Sequence, residues 1–123
     1  MLAKRAKKMP IPETPLFVKT HDFIVWLMGH SQRFPKSLRQ SFTARLESTV
    51  LDFQECILMA NTVRGKDRAG WLDHADGKLL VFRGLLRIVG TLNLLRMHQM
   101  KYAAESIDEL GRLLGAWKKG TSR

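Results

Sequence analysis

The stretch Leu38-Arg-Gln-Ser-Phe42-Thr-Ala-Arg-Leu46-Glu-Ser-Thr49-Val-Leu-Asp-Phe53-Gln-Glu-Cys-Ile57-Leu-Met-Ala60 decides the fold of this chain. Its apolar positions, with Thr49 in the series, recur at intervals of four and three. That spacing keeps one stripe of an α-helix turned toward a core. The opposite face carries Arg39, Arg45, Glu47, Asp52 and Glu55. A half-buried strand would alternate every second residue, and nothing here does so over strand length. The pattern predicts one helix from about Ser37 to Val63. Cys56 falls among Phe53, Ile57 and Ala60 and reads as a buried structural thiol; as the single cysteine it has no internal disulfide partner.

Toward the C-terminus, Arg64-Gly-Lys-Asp-Arg-Ala-Gly70 reads as a glycine-punctuated basic loop. A third helix is predicted from Trp71 or Asp73 to Leu95, burying Leu79, Phe82, Leu85, Leu86, Val89 and Leu92. A fourth runs from about Gln99 to Lys119, with Ala103, Ile107, Leu110, Leu114 and Trp117 in the same four-three rhythm. Toward the N-terminus, Ile24, Leu27, Met28 and Ser31 share a face of a first helix over residues 16–32. Thr14 is placed to cap it, with Pro15 in the first helical position. Phe34-Pro35 ends it, because the residue before proline avoids helical geometry. All four prolines lie within the first 35 residues, so nothing interrupts the later helices. Four helices with short connections predict an all-α, antiparallel, up-down four-helix bundle over residues 16–119. Residues 1–15, with Lys4, Arg5, Lys7 and Lys8 ahead of three prolines, read as a basic flexible tail, and 120–123 as a flexible C-terminus.

The charge balance bears on partners. Twenty-one Lys and Arg against eleven Asp and Glu leave a formal +10 on 123 residues. A polyanion tolerates and rewards such an excess, since each phosphate contact releases condensed counterions. The alternative is a basic surface that serves solubility alone. No stretch approaches the eighteen or so apolar residues of a membrane span, and the basic N-terminus lacks the apolar run of a signal peptide. The expectation is a cytoplasmic protein with no membrane contact.

Catalytic chemistry finds no constellation. The sequence has no phosphate-binding glycine loop, no cysteine pair, no His-Glu-x-x-His and no nucleophile elbow. His21, His30, His74 and His98 share no metal-ligand spacing, and His74 with Asp76 suits the start of the third helix. Asp108 and Glu109 stand four and three residues before Arg112, a spacing for pairing along one helix, and Glu105 lies one turn earlier. The chain is therefore expected to be no enzyme, with no cofactor, metal or small-molecule substrate. Gly84, Gly90, Gly111 and Gly115 each cost about 1 kcal/mol inside a helix relative to alanine. They imply close approach by another helix, within the protomer or from a neighbouring subunit.

The segment from Tyr102 to Trp117, and within it Glu109-Leu-Gly-Arg-Leu-Leu-Gly-Ala-Trp117, resembles the C-terminal signature of the accessory variability determinant (Avd) proteins of diversity-generating retroelements. Further matches are Phe34-Pro-Lys36 with Arg39, Ala60-Asn61, and Leu79 through Arg87. Avd proteins belong to a four-helix-bundle superfamily that includes proteins encoded in ribosomal-RNA intervening sequences. Leu51 to Asn61 stands where that second branch carries a Ser-Ile-x-x-Asn-Ile-Ala-Glu-Gly-like run, so the resemblance lies with the retroelement branch. Ala116 and Lys118 depart from the family's usual glycine and apolar residue. The resemblance implies a ring-shaped homopentamer that binds RNA or DNA and associates with the element's reverse transcriptase. With template RNA, such proteins support mutagenic cDNA synthesis without a catalytic site of their own. The other reading is a bundle scaffold of the intervening-sequence type that acts through protein contacts.

The candidate nucleic-acid-binding residues are Arg83 and Arg87, one turn apart on the third helix and matching arginines in the family's corresponding helix. Arg64, Lys66 and Arg68 follow, then Lys36 and Arg39. Arg112 is expected to be structural. Gly111, Gly115 and Trp117 are the candidates for subunit or helix packing. Phe42, Phe53, Phe82 and Trp117 sit at core spacing, leaving Trp26 and Trp71 as the aromatics open to an interface.

Overall fold

The computed structural model describes residues 14–121. The predicted basic tail therefore lies outside the described residues, except for Thr14 and Pro15. Within them the chain forms four α-helices: α1 (Pro15–Ser31), α2 (Ala44–Ala60), α3 (Gly65–Thr91) and α4 (Met97–Gly120). No strand occurs among the described residues. The helices run up, down, up and down; α2 and α3 lie closest together, and α1 closes the bundle against α4. At about 1.5 Å per residue the long α3 spans about 40 Å. The upper end gathers the C-termini of α1 and α3 with the starts of α2 and α4. The lower end holds the α2–α3 connection, the start of α1 and the end of α4.

The core follows the periodicity at most positions and adds Phe23 and Leu72, while Met28, Leu85 and Trp117 are only half-buried. Phe23, Leu27, Leu46, Phe53, Ile57, Leu72, Phe82, Ile107, Leu110 and Leu114 are fully buried. Each such side chain contributes about 1.5–3 kcal/mol by leaving water. Cys56 is buried among them, and desolvation, followed by the nearby Glu55 carboxylate, pushes its thiol pKa up.

Several boundaries move, each for a local reason. The helix predicted from Ser37 is in fact three pieces: a 3-10 turn (Lys36–Leu38), a π-helical turn (Arg39–Thr43) and α2. The extra residue in the π turn shifts the register. Leu38 and Phe42 become only half-buried while Thr43 turns inward. Its Oγ1 is buried with no hydrogen-bond partner. At the other end of α2, only Asn61–Arg64 connects to α3. The stretch read as a basic loop is instead the first turn and a half of α3, entered through Gly65 at φ +59°. Asp67 favours that first turn through the helix dipole. His74 and Asp76 consequently lie well inside the helix. α3 stops at Thr91, short of the predicted Leu95, because Asn93 adopts φ +55°. Asn93 N–H donates to the Gly90 carbonyl at 3.1 Å and Leu94 N–H to that of Val89 at 3.0 Å, a Schellman closure. Leu92, expected in the core, sits at this cap and is 48% exposed. Pro15 does begin α1, but Thr14 makes no side-chain cap hydrogen bond.

Candidate nucleic-acid interface

Seven basic residues selected from sequence fall into three places. Arg83 and Arg87 stand together on the exposed side of α3, above its groove with α4. They are not equivalent. Arg83 Nη1 lies 2.6 Å from Asp108 Oδ1 on α4, whereas Arg87 has no ion pair among the described residues. Gly111 explains how Arg83 crosses: a Cβ there would meet Arg83 Nη2 at 3.0 Å. The glycine leaves room for an arginine lying across the helix.

Arg64, Lys66 and Arg68 occupy the lower end. Arg64 and Lys66 are exposed at the start of α3. Arg68 is half-buried; its Nε–H donates to the Ala60 carbonyl at 2.9 Å, satisfying a free acceptor at the end of α2. Its guanidinium also lies 5.6 Å from the centre of the Trp117 ring, within cation–π range. Trp117 in turn meets Phe17 edge-on at 5.8 Å. Through these contacts Arg68 and Trp117 tie the start of α3 and the end of α4 to α2 and α1.

Lys36 and Arg39 lie exposed at the upper end, in the connection between α1 and α2. Sequence reasoning missed their neighbours. Arg33, Arg45, Arg96, His98 and Lys101 are all exposed and all flank helix termini at that same end. The signal was available once the helices were assigned, because up-down topology brings these termini together.

Five carboxylates are engaged along the bundle's sides, Asp108 among them. Lys19 pairs with Glu109 at 3.4 Å, Lys78 with Asp52 at 3.3 Å, and Lys118 with Asp73 and Asp76 at 3.2 and 3.1 Å. Hydrogen bonding to Asp76 first, against some desolvation, and then to Asp73 holds the Lys118 ammonium above the usual lysine pKa. Asp108 and Glu109 therefore pair across to α3 and α1, not with Arg112 on their own helix. Interhelical reach wins because each carboxylate already borders a neighbouring helix carrying a cation. None of the upper-end cations belongs to an ion pair among the described residues. The acid nearest that end, Glu47, accepts a hydrogen bond from the Ser31 hydroxyl.

Gly115 and Gly84 have no atom within 4 Å of a Cβ position, so neither marks close approach within the protomer; Gly90 does, against the Met100 side chain at 3.1 Å. No group of three His, Cys, Asp or Glu side chains gathers for a metal among the described residues. No helix there is long and apolar enough to cross a membrane.

The family model for bAvd-like proteins matches residues 16–121, the whole bundle. The chain belongs to the bAvd-like family. No curated protein matches it. Avd-type proteins are non-catalytic accessory proteins of retroelements, and this bAvd-like chain folds as a four-helix bundle with exposed, unpaired cations among its described residues.

Proposed function

We propose that this bAvd-like protein is a nucleic-acid-binding accessory of a retroelement reverse transcriptase, supporting mutagenic cDNA synthesis on template RNA. The observation that carries the reading is the surplus of free cations: five carboxylates pair with lysines or Arg83 along the bundle's sides, while the upper-end cations, Arg64, Lys66 and Arg87 are exposed and belong to no ion pair among the described residues. Binding rests mainly on phosphate neutralisation, with RNA shape and the polymerase supplying selectivity.

The protein acts as a cytoplasmic homopentameric ring, multiplying this surface fivefold. Assembly is supported by an apolar strip on α3 that the protomer leaves uncovered. Leu80 is 71% exposed, and Val81, Ile88 and Leu92 continue the strip at helical spacing. Gly77 and Gly84 beside it have open space above them, as a surface receiving another subunit requires. The same strip would serve the scaffold reading, in which charge only aids solubility.

Fluorescence anisotropy with labelled RNA across a salt titration tests the binding. Affinity should fall steeply as salt rises, and Arg87→Ala should lower the logarithmic slope by about 1. Arg83→Ala should lower it less, because Asp108 already offsets that charge. Salt-independent binding, or none near physiological salt alongside a stable protein complex, would favour the scaffold. Native mass spectrometry should return a pentamer, and a monomer or dimer would remove the ring.

A further inference from the structure

The largest cleft at the upper end runs between the C-terminus of α1 and the α3–α4 connection. His30, Arg33, Asn93 and Arg96 line it, and no carboxylate does. Its volume of about 940 Å3 lies within the roughly 300–1,000 Å3 of small-ligand sites. The cleft on the α3–α4 side is different in kind: Asp73, Asp76 and Asp108 line it beside Arg83 and Lys118 and satisfy those cations internally.

An aromatic layer meets the cationic cleft at His30, while Trp26 and Tyr102 lie outside the cleft's lining. The Trp26 ring lies 4.3 Å from His30 at 34° and 4.7 Å from Tyr102 at 48°, and it stacks on the buried Phe23 at 5.8 Å. His30 Nδ1–H donates to the Trp26 carbonyl at 2.8 Å, which fixes the imidazole at the cleft wall. Tyr102, 43% exposed, carries the layer to the surface. A core-anchored aromatic stack that reaches solvent at Tyr102 and shares His30 with a cleft holding two unpaired arginines combines the two elements of single-strand binding, a face for a base and charge for its phosphates.

We propose that one unpaired nucleotide of a single strand binds across this cleft and the aromatic layer that joins it at His30, its base on exposed Tyr102 and its phosphates at Arg33 and Arg96. The inference rests on the nucleic-acid-binding reading above and adds where and in what form the strand is held. A duplex keeps its base faces covered and gains only the arginines.

The test compares a labelled oligouridylate with a labelled duplex, using the full chain. Tyr102→Ala should weaken oligouridylate binding on the order of tenfold and leave duplex binding unchanged. Tyr102→Phe, which keeps the ring, should retain wild-type affinity. Arg33→Ala with Arg96→Ala should lower the salt slope for the single strand by about 1.4, with an unaltered thermal transition. Equal losses on both probes from Tyr102→Ala, or an unchanged slope in the arginine variant, overturn the proposal. If the wild-type protein binds both probes while every variant matches it, only this site falls. If the wild type binds neither probe, the general reading falls with it.

Discussion

The two ends of the bundle carry similar side chains and use them differently: the lower end turns some cations inward and leaves Arg64 and Lys66 exposed, whereas the upper end pairs none among the described residues. At the lower end, Arg68 closes the last turn of α2 and covers Trp117, while Lys118 lies between Asp73 and Asp76. At the upper end, Arg33, Lys36, Arg39, Arg96 and Lys101 are exposed with no ion-pair partner among the described residues. A basic residue is available to a phosphate only where the fold has left its charge unspent. Net charge cannot make that distinction, because it counts Arg68 and Arg96 alike.

The sharpest way to break this contrast is Arg68→Ala. It removes a hydrogen bond to a charged donor, a cation–π contact and packing against an aromatic ring. The expected cost is about 2–3 kcal/mol in urea unfolding, with RNA affinity little changed under folding conditions. A loss of affinity at unaltered stability would move Arg68 to the binding side.

Thr43→Val probes the upper end, where the π turn buries a hydroxyl without a partner. Removing that hydroxyl should stabilise the fold by about 1 kcal/mol in thermal or urea unfolding, since no hydrogen bond is lost. Destabilisation would mean that the hydroxyl has a partner after all.

Lys118→Met should cost least, about 0.5–1 kcal/mol, because ion pairs at the surface contribute little. Its pH dependence has a definite sign. The ammonium pKa is raised in the folded state, so its stabilisation is fully present below the ordinary lysine pKa and is lost as pH rises through the folded value. Wild type and variant should therefore converge in stability at strongly alkaline pH. A gap that persists there would assign the effect to packing.

Much of the fold was legible along the chain. The four-three spacing identified all four helices and most of the core, because burial of one helical face imposes that period whatever the neighbours are. The misses were boundaries and partners. Glycines and charges at 64–70 looked like a loop, yet Arg68 gains a carbonyl and an indole by being helical, and neither is close in sequence. Asn93 could have been read as a left-handed helix stop, a signal that Leu92 to Leu95 masked by continuing the apolar pattern. Asp108 and Glu109 had a partner at helical spacing in Arg112 and chose Arg83 and Lys19 on other helices.

By itself, the sequence determined an all-helical bundle, its core, its excess of positive charge and its bAvd-like family. These follow from composition, from a family pattern spread along the chain, and from a periodicity that each helix carries locally. The tertiary structure alone decided which of the cations are free. It closed Arg83 over Gly111 onto Asp108, set Arg68 on Trp117, and gathered Arg33 and Arg96 with His30 at one cleft. Pairing depends on distances of a few ångströms between residues far apart in sequence, and only the packed bundle sets those distances.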